Sequence, residues 1–340
     1  MLADLGAEVI VVHRAVSPTR GAPPRNMLDR GKRSIVLDLK DARDLDVVRR
    51  LVDGADGLLE GFRPGTMEKL GLGPDDLRSR QPKLVYGRVT GWGQSGPEAR
   101  CAGHDLNFIA RSGALSRASA PDQQPLTPAT LVGDIGGGAL YLVAGMLAAL
   151  VRAQRTGQGA VVDAAIVDGS AHAMTLMMAA RAAGMLATER GNSELDGAPW
   201  SRCYQTADGR WLAVQCLEPG FYTTMLEILG LTDDERFTQH REPDQWPALT
   251  TQLADLFASK TLEEWTALFA GSDACVAPVL SPDESRTDPH MASRKVWTEV
   301  DGALQARAAP RFDGAVPAQP NAAPERGEHT ADIHAELGLR

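Results

Sequence analysis

The sequence has little cysteine and no excess of positive charge, and each shortage excludes a class of protein. Its four cysteines, Cys101, Cys203, Cys216 and Cys275, are scattered, and none forms a CxxC pair. Such spacing is typical of neither a zinc site nor a disulfide framework, so we expect buried, reduced thiols and no bound metal. The formal net charge of -9 argues against a nucleic-acid-binding protein, because such proteins normally present a basic face.

Long apolar runs are scarce as well. The longest, from Ala139 to Val151, is shorter than the roughly 20 residues that a membrane-spanning helix needs, and Arg152 ends it. The residues that follow Met1 form neither a basic segment nor an extended apolar one, whereas a signal peptide has both. We therefore expect a cytoplasmic protein that does not bind membranes.

The first half of the chain alternates between predicted strands and helices. Val9–Val12 is a continuous β-branched run, which indicates a buried strand. Further strands are predicted over 34–39, 57–60, 84–89 and 160–163, and helices over 41–53, 74–80, 139–155 and 169–186. This alternation predicts an α/β fold with a Rossmann-like, mainly parallel sheet covered by helices.

The second half has a different pattern. Asp208-Gly209 between two short strand-like runs indicates a hairpin, and helices are predicted over 220–229, 246–258 and 261–270. The stretch after Gly314 is rich in proline and alanine and low in aromatics, which is typical of poor order. The predicted layout is a large α/β domain over 1–186, a linker over 187–198, a small α+β domain over 199–288, a return linker over 289–308 and a C-terminal segment over 309–340 that partly returns to the large domain.

Two short motifs supply a histidine and a carboxylate that could exchange protons. His104 stands in the run Gly103-His104-Asp105-Leu106-Asn107, and Asp134 stands in the run 131–138 before three glycines. Histidine, with an ordinary pKa of about 6.5, can act as acid or base at neutral pH, whereas a carboxylate becomes a useful base when its surroundings raise its pKa. The pair is therefore a candidate for acid–base chemistry.

Three further motifs accompany these two in a fixed order: Glu60 to Gly65, Arg88 to Pro97 and Val162 to Ser170. Together the five resemble those of the family III CoA-transferase superfamily, from Met1 to about Arg311. The form with histidine before aspartate is similar to the α-methylacyl-CoA racemase branch, since the transferases usually carry an aromatic residue in place of His104. The resemblance implies a CoA-binding large domain and an isomerase.

The resemblance also implies an assembly and an upstream segment. Family members are interlocked homodimers, in which the linkers of each chain thread around the partner. They usually begin with a further strand and a loop upstream of the helix that starts here at Met1. We expect that this difference reflects either a start codon placed too late or a truncated form.

Racemisation of a 2-methylacyl-CoA thioester needs two bases on opposite faces of one carbon and a donor for the enolate oxygen. By resemblance, His104 and Asp134 are the bases, the backbone N–H of Asp105 binds the enolate oxygen, and Glu218 orients the histidine. CoA belongs to the substrate, so no separate cofactor is expected. The resemblance assigns binding of the CoA moiety to Arg14, Leu37, Lys40, Gly61, Phe62, Arg63, Lys69, Gly103 and Phe108.

At two positions the sequence departs from the racemase pattern. Thr130 stands where racemases usually have an asparagine, and Lys69 stands where they have a CoA-binding arginine. Lysine keeps the charge but lacks the two-pronged guanidinium, so we expect weaker binding or a different acyl preference.

Several alternatives remain open from the sequence alone. His104 and Asp105 could form a structural hydrogen-bonding pair, Asp134 could cap the helix that follows, and Glu218 and the basic residues could be solvated surface groups. The chain could instead be a CoA-transferase in which Asp134 attacks the thioester and forms a mixed anhydride. A third possibility is a weakly active protein that binds CoA esters.

Overall fold

The structure is a computed structural model that describes residues 1–15, 25–120, 123–238 and 242–339. These residues form two compact units. The first unit comprises Met1–His104, Asp134–Gly169 and Pro282–Arg340, and the second comprises Asp105–Gly133 and Ser170–Ser281. Residues 105–133 and 170–186, which the predicted layout assigned to the large domain, therefore group with the second unit.

Strands of both units are short, of three to six residues each. In chain order they are β1 (Ile10–His13), β2 (Arg33–Val36), β3 (Gly57–Glu60), β4 (Val85–Thr90), β5 (Val161–Ala165), β6 (Ser201–Gln205), β7 (Trp211–Gln215), β8 (Val276–Pro278), β9 (Trp297–Val300) and β10 (Ala303–Ala306). The first unit holds two parallel sheets, β1-β2 and β3-β4-β5, and the antiparallel pair β9-β10. The second holds the antiparallel sheet β6-β7-β8.

Helices lie between the strands. In chain order they are α1 (Ala42–Asp53), α2 (Thr66–Lys69), α3 (Pro74–Arg80), α4 (Asp105–Ser112), α5 (Leu140–Thr156), α6 (Ile166–Ala173), α7 (Thr175–Ala182), α8 (Pro219–Leu229), α9 (Glu235–Thr238), α10 (Trp246–Phe257), α11 (Leu262–Phe269), α12 (Pro282–Thr287), α13 (Pro289–Ser293) and α14 (Thr330–Glu336). A π-helix, Leu131–Ala139, runs directly into α5, and short 3-10 helices lie at Ala3–Leu5, Met27–Asp29, Ala114–Arg117 and Pro243–Gln245. Parallel strands alternating with helices confirm the predicted α/β class.

Helix α5 presents two apolar faces. One buries Leu142, Val143 and Met146 in the first unit, where α5 packs against β4 and β5. The other leaves a stripe of apolar side chains exposed at helical spacing, namely Leu140, Ala144, Leu147 and Val151. With the preceding π-helix, the helical run Leu131–Thr156 is 26 residues long and apolar enough to cross a membrane by length and composition. Because the core helix of a soluble protein passes the same test, this run is weak evidence for a membrane span.

The core of the second unit is dominated by aromatic rings. The ring centroid of Trp200 lies 5.2 Å from that of Tyr222 and 5.6 Å from that of Trp246, in edge-on arrangements that aromatic pairs favour. Trp265 is buried, and its indole N–H donates to the Phe257 carbonyl at 2.8 Å. The Asp208-Gly209 hairpin forms as predicted, with Tyr204 opposite Leu212 in the β6-β7 register.

Three expectations about local structure are wrong. The helix predicted over 169–186 is divided into α6 and α7, where the Thr175 hydroxyl donates to the His172 carbonyl at 2.6 Å and so competes with helical hydrogen bonding. The stretch after Gly314, expected to be poorly ordered, ends in α14, whose Ile333 is 1% exposed in the same core cluster as Ile35. Of the four cysteines, expected to be buried, only Cys216 is; the other three are exposed.

Candidate active site

His104 is an exposed side chain at a helix start. It directly precedes Asp105, the first residue of α4, and Asp105 is only 6% exposed. The apolar side chains of Phe108 and Ile109 are buried one turn further along α4. Burial of this helix face fixes the backbone on which His104 stands.

Asp134 lies half-buried inside the π-helix, so the alternative that it caps α5 is wrong. π-helical turns are rare and are frequently found at functional sites. Thr130, just before this helix, has a backbone φ of 63°, in the left-handed region that asparagine tolerates better than a β-branched residue. This is the position where the racemase pattern has an asparagine.

The backbone beside Asp134 closely approaches the residue beside His104. A Cβ placed on Gly133 would lie 2.8 Å from Ile109 Cγ2 and would overlap Asp105 Oδ1. Any larger residue at this position would force a neighbouring side chain or the backbone to shift. Since consecutive Cα atoms are about 3.8 Å apart, His104 and Asp134 each stand one residue from the same point of contact. Both belong to the first unit, which the chain leaves after His104 and re-enters at Asp134.

Glu218 is exposed in the second unit. Its extended backbone (φ -84°, ψ 142°) starts α8, and its carbonyl accepts from the Tyr222 N–H at 3.1 Å. Partial desolvation of the exposed Cys275 thiol and the negative charge of the Glu218 carboxylate raise the pKa of Cys275. The role of Glu218 in orienting His104 stays a prediction.

Most of the residues assigned to CoA binding lie at the carboxyl ends of parallel strands, where α/β proteins usually bind ligands. Exposed Arg14 follows β1, exposed Lys40 lies in the loop after β2, and the exposed run 61–63 follows β3. Lys69 is the exposed last residue of α2, and Gly103 is half-buried beside His104.

Leu37 and Phe108 differ from the other assigned residues because their side chains are buried, at 1% and 6% exposure. The side chain of Leu37 belongs to the core cluster that contains Ile35. Any contact of Leu37 with a ligand would therefore use its backbone rather than its side chain.

Three of the sequence motifs meet in the β3-β4-β5 sheet. Glu60 pairs with Arg88, and Arg88 pairs with Asp163, in the register of the three strands. Asp163 also accepts from the Gln94 N–H at 3.1 Å, so the loop after β4 is tied to β5. The sequence motifs contain these residues but predict no contact between them, because the register of non-adjacent segments is not visible in sequence spacing.

The Glu60–Arg88 contact is a buried ion pair that continues to the surface. Arg88 Nε donates to Glu60 Oε1 at 2.7 Å, and Arg88 Nη1 donates to Glu68 Oε1 at 2.7 Å. The hydrogen bonds from Arg88 hold the pKa of the Glu68 carboxyl below its ordinary value. A buried charge with two carboxylate partners has a strongly specified geometry.

Comparison with known proteins identifies the family. The model of CoA-transferase family III matches residues 1–330. This chain belongs to that family.

Among relatives, the α-methylacyl-CoA racemases of mouse and human are each 42% identical over 343 residues, covering 100% of this chain and 88% of theirs. A probable fatty acyl-CoA transferase of Mycobacterium tuberculosis is 36% identical, over 82% of this chain and 77% of its own. A crystal structure of a CaiB/BaiF family protein from Brucella suis is similar with a TM-score of 0.84 and 29% identity, over 99% of this chain and 93% of that one. The predicted resemblance to racemases is thereby confirmed, within a family that also contains transferases.

Proposed function

We propose that this protein is an α-methylacyl-CoA racemase, which interconverts (R)- and (S)-2-methylacyl-CoA thioesters without a separate cofactor. The observation that carries the proposal is the close approach of Gly133 to Asp105, which puts His104 and Asp134 each one residue from a single contact. The full-length similarity to racemases supports the same activity. Cytoplasmic location stays a prediction.

In the proposed reaction, a proton leaves the α-carbon and another returns on the opposite face. For one enantiomer, neutral His104 takes the α-proton, and the electrons of the broken C–H bond move to the thioester oxygen as an enolate. Protonated Asp134 then donates to the other face of the carbon. For the other enantiomer the roles reverse, and each base typically contributes about 10²- to 10⁴-fold.

Two further groups would support this proton exchange. The backbone N–H of Asp105, at the start of α4, would donate to the enolate oxygen, because the N-terminal end of a helix favours negative charge. Glu218 would hold one ring nitrogen of His104 and so fix its tautomer. Arg14, Lys40 and Arg63, which follow the carboxyl ends of strands, and Lys69, at the end of α2, would bind the phosphates of CoA.

We also propose that the protein is a homodimer. The exposed stripe Leu140, Ala144, Leu147 and Val151 lies on α5, and contiguous apolar surface of this kind typically marks an interface. Leu147→Glu would place a charge in the stripe. Light scattering should then give a monomer for the variant and a dimer for the unaltered protein, whereas a monomer for both would contradict the proposal.

Incubation with a single enantiomer of a 2-methylacyl-CoA in D₂O, without any acceptor acid, tests the activity. A racemase incorporates deuterium at the α-carbon and yields both enantiomers. A transferase uses Asp134 as nucleophile and moves CoA only when a free acid is added. Transfer to an added acid with no α-exchange would replace the racemase proposal with the transferase one. CoA-ester binding with neither reaction would leave only a binding protein.

A further inference from the structure

We propose that Arg88, acting through Glu60 and Glu68, is a positioning residue for residues 61–69, the segment that binds the CoA nucleotide. The inference rests on the proposed function, because it takes Arg63 and Lys69 as ligands of the CoA phosphates. The motifs Glu60 to Gly65 and Arg88 to Pro97 predict no function for Glu60 or Arg88 themselves.

The geometry of Arg88 links both ends of this segment. On one side its Nε donates to Glu60 Oε1 at 2.7 Å, at the last residue of β3. On the other side, Nη1 and Nη2 donate to the two oxygens of Glu68 at 2.7 and 3.3 Å, on α2. One planar guanidinium therefore joins Glu60, three residues before Arg63, to Glu68, which directly precedes Lys69.

The second oxygen of Glu60 extends this link into the loop itself. Glu60 Oε2 accepts from the Phe62 N–H at 2.7 Å, beside Arg63. Glu68 immediately precedes Lys69 in sequence. Arg63 and Lys69, two of the cations expected to bind phosphate, are thus each one residue away from a group that Arg88 fixes directly or through Glu60.

Because the ion pair is buried, its main effect is to fix the geometry of its partners rather than to add stability. The side chains of Arg88 and Glu60 are 6% and 2% exposed. A buried ion pair adds little net stability compared with apolar residues of the same volume, although removal of one partner is costly. Its distinctive property is geometry, because a guanidinium fork fixes two carboxylates at set angles and an ammonium does not. The ion pair therefore fits a positioning role for a phosphate-binding loop.

Arg88→Lys tests the inference, because it keeps the charge and removes the fork. The binding probe is 3′,5′-ADP, the nucleotide part of CoA, measured by calorimetry. We expect its Kd to rise about tenfold, which corresponds to a loss of about 1.4 kcal/mol of binding free energy. The KM for a 2-methylacyl-CoA should rise similarly with kcat within about twofold, while kcat/KM for the same acyl group on N-acetylcysteamine stays unchanged. Arg80→Lys is the matched control, since Arg80 makes a two-pronged, exposed pair with Asp53 and should change none of these values.

A second variant keeps the inference testable if Arg88→Lys fails to fold. Glu68→Gln alters the half-exposed partner, and we expect a rise of about threefold in the Kd for 3′,5′-ADP. Unchanged nucleotide affinity in a folded Arg88→Lys protein, or in Glu68→Gln when only that variant folds, would overturn the inference. So would a proportional loss with both thioesters, or a lack of 3′,5′-ADP binding by the unaltered protein. Nucleotide binding that depends on Arg88 in a protein without α-proton exchange would instead overturn the racemase proposal alone.

Discussion

The two units bury different chemistry. In the second unit the core is built from aromatic rings, including Trp200, Trp246 and Trp265. In the first unit the core clusters are mainly aliphatic, and a charged pair, Glu60 and Arg88, is buried in the sheet. Apolar rings contribute stability in proportion to the area they bury, whereas a buried ion pair contributes defined geometry. Damage to the second core should therefore lower stability, and damage to the motifs of the first unit should lower binding or catalysis.

The largest expected effect is on catalysis. His104→Ala removes one of the two proposed bases from an exposed position, so we expect racemisation to fall by about 10²- to 10⁴-fold while the thermal midpoint stays within a few degrees. Racemisation rates and thermal unfolding measure the two separately. A large loss of stability would show that His104 is structural, and an unchanged rate would remove it from the mechanism.

The corresponding substitution in the core of the second unit is Trp265→Ala. It removes a buried ring and the indole N–H that donates to the Phe257 carbonyl, so we expect a loss of about 3–5 kcal/mol of unfolding free energy. Denaturant unfolding measures this loss. Leu268→Ala, at an exposed position of α11, is the control and should change little. Equal losses in the two variants would contradict the contrast between the units.

Gly133→Ala should have an intermediate effect. The added methyl would overlap Asp105 Oδ1 and press on Ile109, so these side chains or the backbone beside Asp134 must shift. Such overpacking typically costs about 1–3 kcal/mol, and where the backbone rather than the Asp105 and Ile109 side chains gives way, we expect the racemisation rate to fall by tenfold or more. Gly220→Ala provides a control, because a Cβ at Gly220 has no atom within 4 Å. Full activity of Gly133→Ala would show that the close approach is unimportant.

The smallest expected effect concerns pH. Hydrogen bonds from Arg88 lower the pKa of Glu68 from its usual 4.5, so its contribution to stability is present above pH 4.5 and is lost as the pH falls through the lowered value. Because the Glu68 side chain is 44% exposed, solvent screening limits this contribution to less than about 1 kcal/mol. The difference in unfolding free energy between the unaltered protein and Glu68→Gln should therefore shrink below pH 4.5. A difference independent of pH would contradict this assignment.

Elements with clear local signals were predicted well from the sequence. β3 (Gly57–Glu60) and α3 (Pro74–Arg80) have the predicted bounds. In α3 the proline occupies the first helical position, where its missing N–H has no helical partner to lose. The apolar pattern and the positions of proline and glycine were sufficient to predict the bounds of these two elements.

Features that depend on distant pairing were not predictable. The ion pair between Glu60 and Arg88 depends on the register of β3 and β4. The π-helix around Asp134 depends on how its glycine-rich backbone packs, since a Cβ on Gly133 would overlap another segment. Neither leaves a periodic signal in the sequence, so the motifs identified the residues without revealing these contacts.

Enantiomer-resolved α-proton exchange in D₂O tests the central claim most directly. His104→Ala and Asp134→Asn should each slow the initial wash-out of the α-proton chiefly from one enantiomer, and the two variants should affect opposite enantiomers. This crossed pattern is the signature of two bases on opposite faces of one carbon. If both variants slowed exchange from the same enantiomer, or if both slowed the two enantiomers equally, the two-base account would be contradicted.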